Sequence, residues 1–229
     1  MATNAILDID DVQLNSAIFA HEFANSHCKQ YPDDPSCAWY HGSWQFLRLL
    51  DLVSTPAAHA SHYATQLRQI ANDSDFRNIL ISGSADSAMV KTIHEALLHR
   101  QSEIKMTVAD ICQTPLEVCR HYAANAGMEI STIEQNILDG LPEAQFDAIF
   151  THSFMGYFDD NNRPALLQQW ANSLRKGGRL ITVQRVRENH PNPIVRFNEA
   201  EIENFVARTT ELMQSPAASP LINFDIISM

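Results

Sequence analysis

The sequence predicts an α/β fold, a doubly wound, mostly parallel sheet with helices on both faces and an amino-terminal helical extension. Two observations carry this. Beyond Asn72 short β-branched runs alternate with helical stretches, the pattern of a parallel sheet covered on both sides. Before about Ala71 the apolar residues recur only at helical spacing. The 229 residues, 45% of them hydrophobic and 19% charged, are enough to bury one substantial core.

In chain order, SAIFAHEFA, SWQFLRLLDLV and HYATQLRQIA each repeat apolar residues at three and four and predict helices, separated by turns at YPDDPSC and VSTPAAH. RNILIS then predicts a first strand and DSAMVKTIHEALLH the helix after it. IKMTVAD and TPLEVCRHYAANAG repeat that unit. MEISTIEQN and FDAIFTHS follow as strands, the helix position between them staying open. RPALLQQWANSLRKGG predicts a helix and RLITVQRV a strand. Asn198, with Glu201 three residues on, predicts the start of a helix from Glu199 to about Met213, ending before Pro216. Ile222 to Ser228 reads as one last strand whose closing partner is missing or supplied by another chain. The expected division is residues 1–76 as a helical cap or lid and 77–229 as the core.

Charge and composition exclude several function classes. A net charge of −11 without a Lys/Arg cluster argues against a nucleic-acid partner, because binding a polyanion needs a basic face. No apolar run approaches a membrane span, and the start MATNAILDIDD is acidic where a signal peptide is basic, so a cytoplasmic location is expected. Cys28, Cys37, Cys112 and Cys119 show no CxxC spacing and no His at finger distance. They read as free thiols in a reducing compartment, with a Cys28–Cys37 pair across the Pro/Asp turn as the alternative, and no metal site is expected. Oligomeric state is not legible.

In a doubly wound sheet ligands bind outside the carboxyl ends of the strands. Gly83, Ser84, Ala85, Asp86 and Ser87 follow the first strand and are small enough to let a ligand lie against backbone N–H groups, although SADS also suits a plain helix cap. Asp110 ends the second strand, where an acid can accept from two ribose hydroxyls. Thr151, His152, Ser153 and Phe154 follow the fourth. His152 suits a general base or a hydrogen-bonded pocket wall. Tyr157 and Phe158 suit either a site for a cationic sulfur or plain packing. WYHGSWQ, with Tyr40, His41 and Trp44, reads as a lid or as core, and Arg185, after the fifth strand, would suit a carboxylate.

NILISGSADS, TVADI, QNILDGLPEAQFDAIFTHSF and SLRKGGRLITVQRV, in that order, resemble the class I S-adenosylmethionine-dependent methyltransferases, Rossmann-like proteins, over about Arg77 to Val186. The departures are Ile81 where the family has an acid, Ala85 and Ser87 where it has glycines, and Lys176 where a proline is frequent. The resemblance implies Gly83, Ser84 and Ala85 against the methionine part and ribose, and Asp110 on the ribose hydroxyls. It implies Ile111 on one adenine face and Asn136 with Ile137 at the adenine edge, Asn136 being equally a turn residue before Asp139-Gly140. With Ile81 in place of the acid, Asp86 and His152 are the candidates to accept from the cofactor's amino group. Substrate contacts would come from Tyr40, His41, Trp44, Phe154 and Arg185, and catalytic ones from His152 and Tyr157. The implied reaction is metal-independent methyl transfer from S-adenosylmethionine to a small molecule. Two readings stay open beside it: cyclisation or elimination within the same sulfonium giving methylthioadenosine, and a non-catalytic S-adenosylmethionine-binding module.

Overall fold

A computed structural model describes residues 11–28, 37–50, 52–53, 55–72, 75–98, 103–186 and 198–214. The expected strand at Ile222 to Ser228 lies outside the described residues. Three helices come first: α1 (Asp11–His27), α2 (Ala38–Leu49) and, after a 3-10 turn at Pro56–His59, α3 (Ala60–Ile70). There follow β1 (Asn78–Ser82), α4 (Ala88–Ala96), β2 (Lys105–Asp110), α5 (Gln113–Asn125), β3 (Ile130–Glu134), β4 (Phe146–His152), α6 (Arg163–Ser173), β5 (Leu174–Val183) and α7 (Glu199–Met213). The five strands pair in the order β3-β2-β1-β4-β5, all parallel. The position left open between β3 and β4 is a 3-10 turn at Ile137–Asp139.

The sheet is sided by the two-residue period of its strands. Ile79, Ile81, Met106, Val108, Ala148 and Phe150 pack to one face, against Tyr63 and Leu67 of α3, Val90 and Ile93 of α4, and Leu116 and Tyr122 of α5. The alternate residues Leu80, Ala109 and Ile149 pack to the other, against Ile137, Leu141, Leu166 and Trp170. The Trp170 indole N–H, in α6, donates to Ser82 Oγ at 2.9 Å, so burying the largest side chain of that face strands no polar atom.

The helix α6 ends sooner than its sequence period suggests. Leu174 is already extended (φ −76°, ψ 134°) and pairs with Phe146, while Ser173 O accepts from Gln145 N at 3.0 Å. The pairing then shifts register between Phe146 and Ala148, and Gly177 (φ +86°) and Gly178 carry the irregularity inside β5. A Cβ on Gly178 would stand 2.9 Å from Arg175 O and 3.1 Å from Phe146 O, so glycine is required there by contact.

Ala17, Phe46, Leu49 and Leu50 of the first two helices form a separate cluster, and Leu212 and Met213 at the end of α7 pack onto it. α7 begins with the expected box: Asn198 Oδ1 accepts from Glu201 N at 2.9 Å and Glu201 Oε2 accepts from Asn198 N at 2.8 Å.

Candidate functional site

The strand order reverses between β1 and β4, whose carboxyl-end loops meet there. Gly83 turns the chain out of β1 with φ +71°, and its N–H donates to Ala109 O at 2.9 Å. Ser153 turns it out of β4 with φ +52°, a conformation that costs a non-glycine residue roughly 1–2 kcal/mol. That turn lays the Phe154 ring directly over Gly83, with the ring also against Phe158 and Trp170.

Asp110, at the end of β2, joins the same edge. Its Oδ2 accepts from Ser84 N at 2.9 Å and its Oδ1 from Cys112 N at 2.8 Å. Each oxygen keeps a second lone pair for a ligand hydroxyl. Burial pushes the carboxyl up to about 6, while the two backbone N–H groups pull the other way. Ile111, 49% exposed, stands beside it with apolar surface available to an aromatic ring.

Asn136 caps the turn after β3, its Oδ1 accepting from Leu138 N at 3.1 Å. The turn reading therefore holds for its carbonyl, and its amide N–H₂ is the group left to read a ligand. Ile137 is buried in the core beneath, so it shapes the wall from behind.

The helix α2 docks onto the first loop. Trp44 Nε1–H donates to Asp86 Oδ2 at 3.0 Å, the Arg48 guanidinium lies 3.4 Å from the same oxygen, and Gln45 Nε2 donates to Ala85 O at 3.3 Å. Asp86 Oδ1 meanwhile accepts from Ala88 N at 2.6 Å at the start of α4. Asp86 is thus buried and tied to α2 through Oδ2 and to the start of α4 through Oδ1, which keeps one lone pair. The sequence reading missed Gln45 and Arg48, because nothing in a helical repeat says which loop its polar residues will touch.

Of the remaining candidates, Tyr40 and Tyr157 come together, hydroxyl to hydroxyl at 3.3 Å, with Tyr157 71% exposed and Tyr40 also against Trp44. Desolvation drives the Tyr40 phenol well above its ordinary range. His152 turns its Nδ1 side toward α3, 2.9 Å from the Tyr63 hydroxyl, which donates to Thr151 O at 3.1 Å. Nδ1 is bonded to Tyr63 in either tautomer, so Nε2 is the ring nitrogen left for a ligand. Burial, then the neighbouring His59, hold the His152 imidazole below its usual 6.5. Arg185 lies exposed just past β5. His41 does not line this edge; it is buried among the thiols of Cys28 and Cys112.

A cavity of about 210 Å³ lined by Gln69, Phe76, Asp147 and Arg175 opens under the amino ends of the strands, the end opposite all of these groups. It plays no part in the site. At the carboxyl edge the fit to a nucleoside is good: a carboxylate with spare lone pairs, an exposed Ile and a donor amide. At the amino-acid end Ile81 is fully buried, and of the two groups expected there Asp86 is buried with one lone pair left on Oδ1, while His152 is half-buried.

Residues 83–178 match the family model described as Methyltransferase domain. No curated protein matches the chain. Solved structures with a similar fold include the N-methyltransferase NodS of Bradyrhizobium japonicum with S-adenosylhomocysteine, at 20% identity and TM-score 0.42, covering 53% of this chain and 60% of that one. Another is an S-adenosylmethionine-dependent O-methyltransferase of Thermotoga maritima, at 17% identity and TM-score 0.43, covering 69% and 51%. Mitomycin 7-O-methyltransferase MmcR aligns at 12% identity and TM-score 0.48, covering 86% and 60%. The chain spans 60% or less of each of these three proteins' lengths. The domain match falls across the loop after β1, the acid of β2 and the turn after β4, so residues 83–178 are similar to a methyltransferase domain.

Proposed function

We propose that the chain moves the methyl group of S-adenosylmethionine to a small-molecule acceptor by direct displacement. The observation that supports this best is Asp110, at the end of β2, bonded to the Ser84 amide in the loop after β1, beside the point where the strand order reverses. That pairing puts a carboxylate with spare acceptor capacity against a loop narrow enough for a ribose. In this reading Asp110 accepts from the ribose hydroxyls, and Gly83, Ser84 and Ala85 line the ribose and methionine. Ile111 covers one face of adenine, Asn136 donates to its edge, and Ile137 backs the wall. The cofactor supplies an electrophilic methyl carbon on a positively charged sulfur.

The work of the protein is alignment and exclusion of water, which can be worth about 7–11 kcal/mol in well-oriented systems. Tyr40, Trp44 and Phe154 form the acceptor wall, with the exposed Tyr157 phenol at its mouth. Arg185 meets an anionic acceptor group. His152 takes the acceptor's proton at Nε2 and passes it to solvent. Residues 1–76 act as the cap over a core of 77–229. The net charge of −11 favours a small acceptor over nucleic acid and fits a cytoplasmic enzyme. No helix among the described residues is long and apolar enough to cross a membrane.

Calorimetric titration with S-adenosylmethionine and with S-adenosylhomocysteine is the first test. Heat of binding from both, followed by acceptor-dependent release of adenosylhomocysteine, is the expected result. Methylthioadenosine as the product would replace methyl transfer by cyclisation or elimination, and binding of neither compound would end the reading.

A further inference from the structure

Three cysteines and a histidine from distant parts of the chain converge where the amino-terminal helices meet the core. Cys28 follows the last turn of α1, Cys37 caps the start of α2, His41 lies one helical turn on, and Cys112 stands between β2 and α5. The Cys28 and Cys112 sulfurs are 3.8 Å apart, and so are those of Cys37 and Cys112. His41 Nδ1 is 3.3 Å from Cys28 Sγ and 3.5 Å from Cys112 Sγ. All four ligand atoms lie within 4.8 Å of one another.

Those separations match one geometry. Tetrahedral zinc, with bonds of about 2.3 Å to sulfur and about 2.0–2.1 Å to nitrogen, sets sulfurs about 3.8 Å apart and sulfur from nitrogen about 3.6 Å. A disulfide needs about 2.05 Å between sulfurs, and three thiols cannot all be satisfied by pairing. The donors are soft thiolates and an imidazole, the set that selects zinc over magnesium or calcium. Outer support is present as well. Thr114 Oγ1 is 3.1 Å from Cys28 Sγ, and the Cys112 N–H is held by Asp110. His41 and Cys112 are buried, and Cys28 and Cys37 are half-buried, so the site is closed on the protein side.

We propose that Cys28, Cys37, His41 and Cys112 bind one zinc ion that fastens the helical cap to the turn after β2. Four protein ligands leave no open position, so the site is structural. Binding converts three thiols to thiolates and sends their protons to solvent, with His41 coordinating as the neutral ring. The ion ties α1 and α2 to a residue two positions from Asp110, so the cap and the ribose-binding acid become one assembly. The absence of a metal motif in the sequence follows from reading ligands along the chain. Only Cys37 and His41 are near neighbours, and Cys112 is supplied by the fold.

The test uses the full chain and does not depend on activity. Protein purified without chelator should carry one zinc per chain by elemental mass spectrometry. The metal-free chain should take up one cobalt(II) with the intense visible bands and sulfur-to-metal charge transfer of a tetrahedral thiolate site. Zinc should raise its melting temperature. Cys37→Ser and Cys112→Ser should lose stoichiometric zinc. Cys119→Ser, at a buried thiol outside the cluster near Ser84, should keep it. Failure of the metal-free wild-type chain to take up zinc in competition with a chromophoric chelator would overturn the proposal. So would full zinc content in Cys37→Ser, or a Cys28–Cys37 disulfide in the native protein. None of these outcomes bears on cofactor binding, so this inference and the methyltransfer reading fail separately.

Discussion

Phe154 lies so close over Gly83 that a Cβ built on the glycine would stand 2.3 Å from the ring's Cδ2 and 2.4 Å from its Cε2. The contact joins the loops after β1 and β4, and it makes Gly83 necessary for two separable reasons, the missing side chain and the positive φ of +71°.

Substitution can separate them. Gly83→Ala should lower stability and cofactor affinity together, and Gly83→Ala with Phe154→Ala should recover only the part due to collision. The residue of strain, on the order of 1–2 kcal/mol, should persist in the double variant. A double-mutant cycle in thermal melts and in S-adenosylmethionine titration reads both parts. Complete recovery would mean that φ is of no consequence there.

Asp110→Ala should weaken S-adenosylmethionine binding by about 1.5–3 kcal/mol, the loss expected for hydrogen bonds to a charged group. The same carboxylate holds the Ser84 and Cys112 amides, so a modest drop in melting temperature should accompany it. Adenosine alone should lose affinity as much as the whole cofactor does, since the lost contact is to ribose. An unchanged dissociation constant would remove Asp110 from the site.

His152 should give activity an acid limb that lies below the ordinary histidine value of 6.5, because burial, then His59, disfavour its charged form, against a weaker opposing pull from Asp86. The sign for stability is the same. The unfolded chain binds a proton near 6.5 that the folded one resists, so the stability due to the neutral ring is present above 6.5 and falls as pH falls toward the depressed folded value. Tyr63→Phe removes the hydroxyl bonded to Nδ1 and should move the acid limb of the kcat profile while leaving cofactor affinity nearly unchanged. An unmoved profile would make His152 a wall residue.

Tyr157→Phe should change turnover or acceptor KM more than cofactor affinity. The phenol sits at the exposed mouth and is bonded to Tyr40, which belongs to α2. Loss of one partner of an exposed hydrogen bond costs little stability, about 0.5–1.5 kcal/mol at most. An effect confined to S-adenosylmethionine binding would move Tyr157 from the acceptor side to the cofactor side.

The sheet was legible because its central strands β1 and β4 are buried on both faces and read as short apolar runs, so the alternation with helices survives in the sequence alone. The placement of Gly83 and Asp110 at the carboxyl edge of the sheet was legible for a related reason, since one follows β1 and the other ends β2. What the sequence could not show was which helix touches which loop. Asp86 looked open to a ligand, yet Trp44 and Arg48 of α2 both meet its Oδ2, and His41 looked like a lid residue until the fold turned it inward to Cys28 and Cys112. Those pairings lie 13 to 71 positions apart, and neither periodicity nor local propensity carries such distances. The early end of α6 was hidden similarly, since Leu174 leaves the helix to pair with Phe146.

The helix α7 shows the limit of a local signal that the sequence carried fully. Its start is set by the reciprocal bonds of Asn198 and Glu201, yet only Thr209 along it is buried, and Ile202, Phe205 and Val206 are exposed. Leu212 and Met213 attach its far end to the cluster of Ala17, Phe46 and Leu49. A helix held at one end and capped at the other should open by itself, without the sheet. Asn198→Ala removes a cap worth about 0.5–2 kcal/mol. Amide hydrogen exchange over residues 199–213 should therefore quicken by roughly threefold to thirtyfold, while the strands keep their protection and the global melting temperature barely moves. Loss of protection in β1 and β4 to the same degree would show instead that α7 opens only with the core, and that its few contacts to the amino-terminal helices count for more than its length of exposed surface.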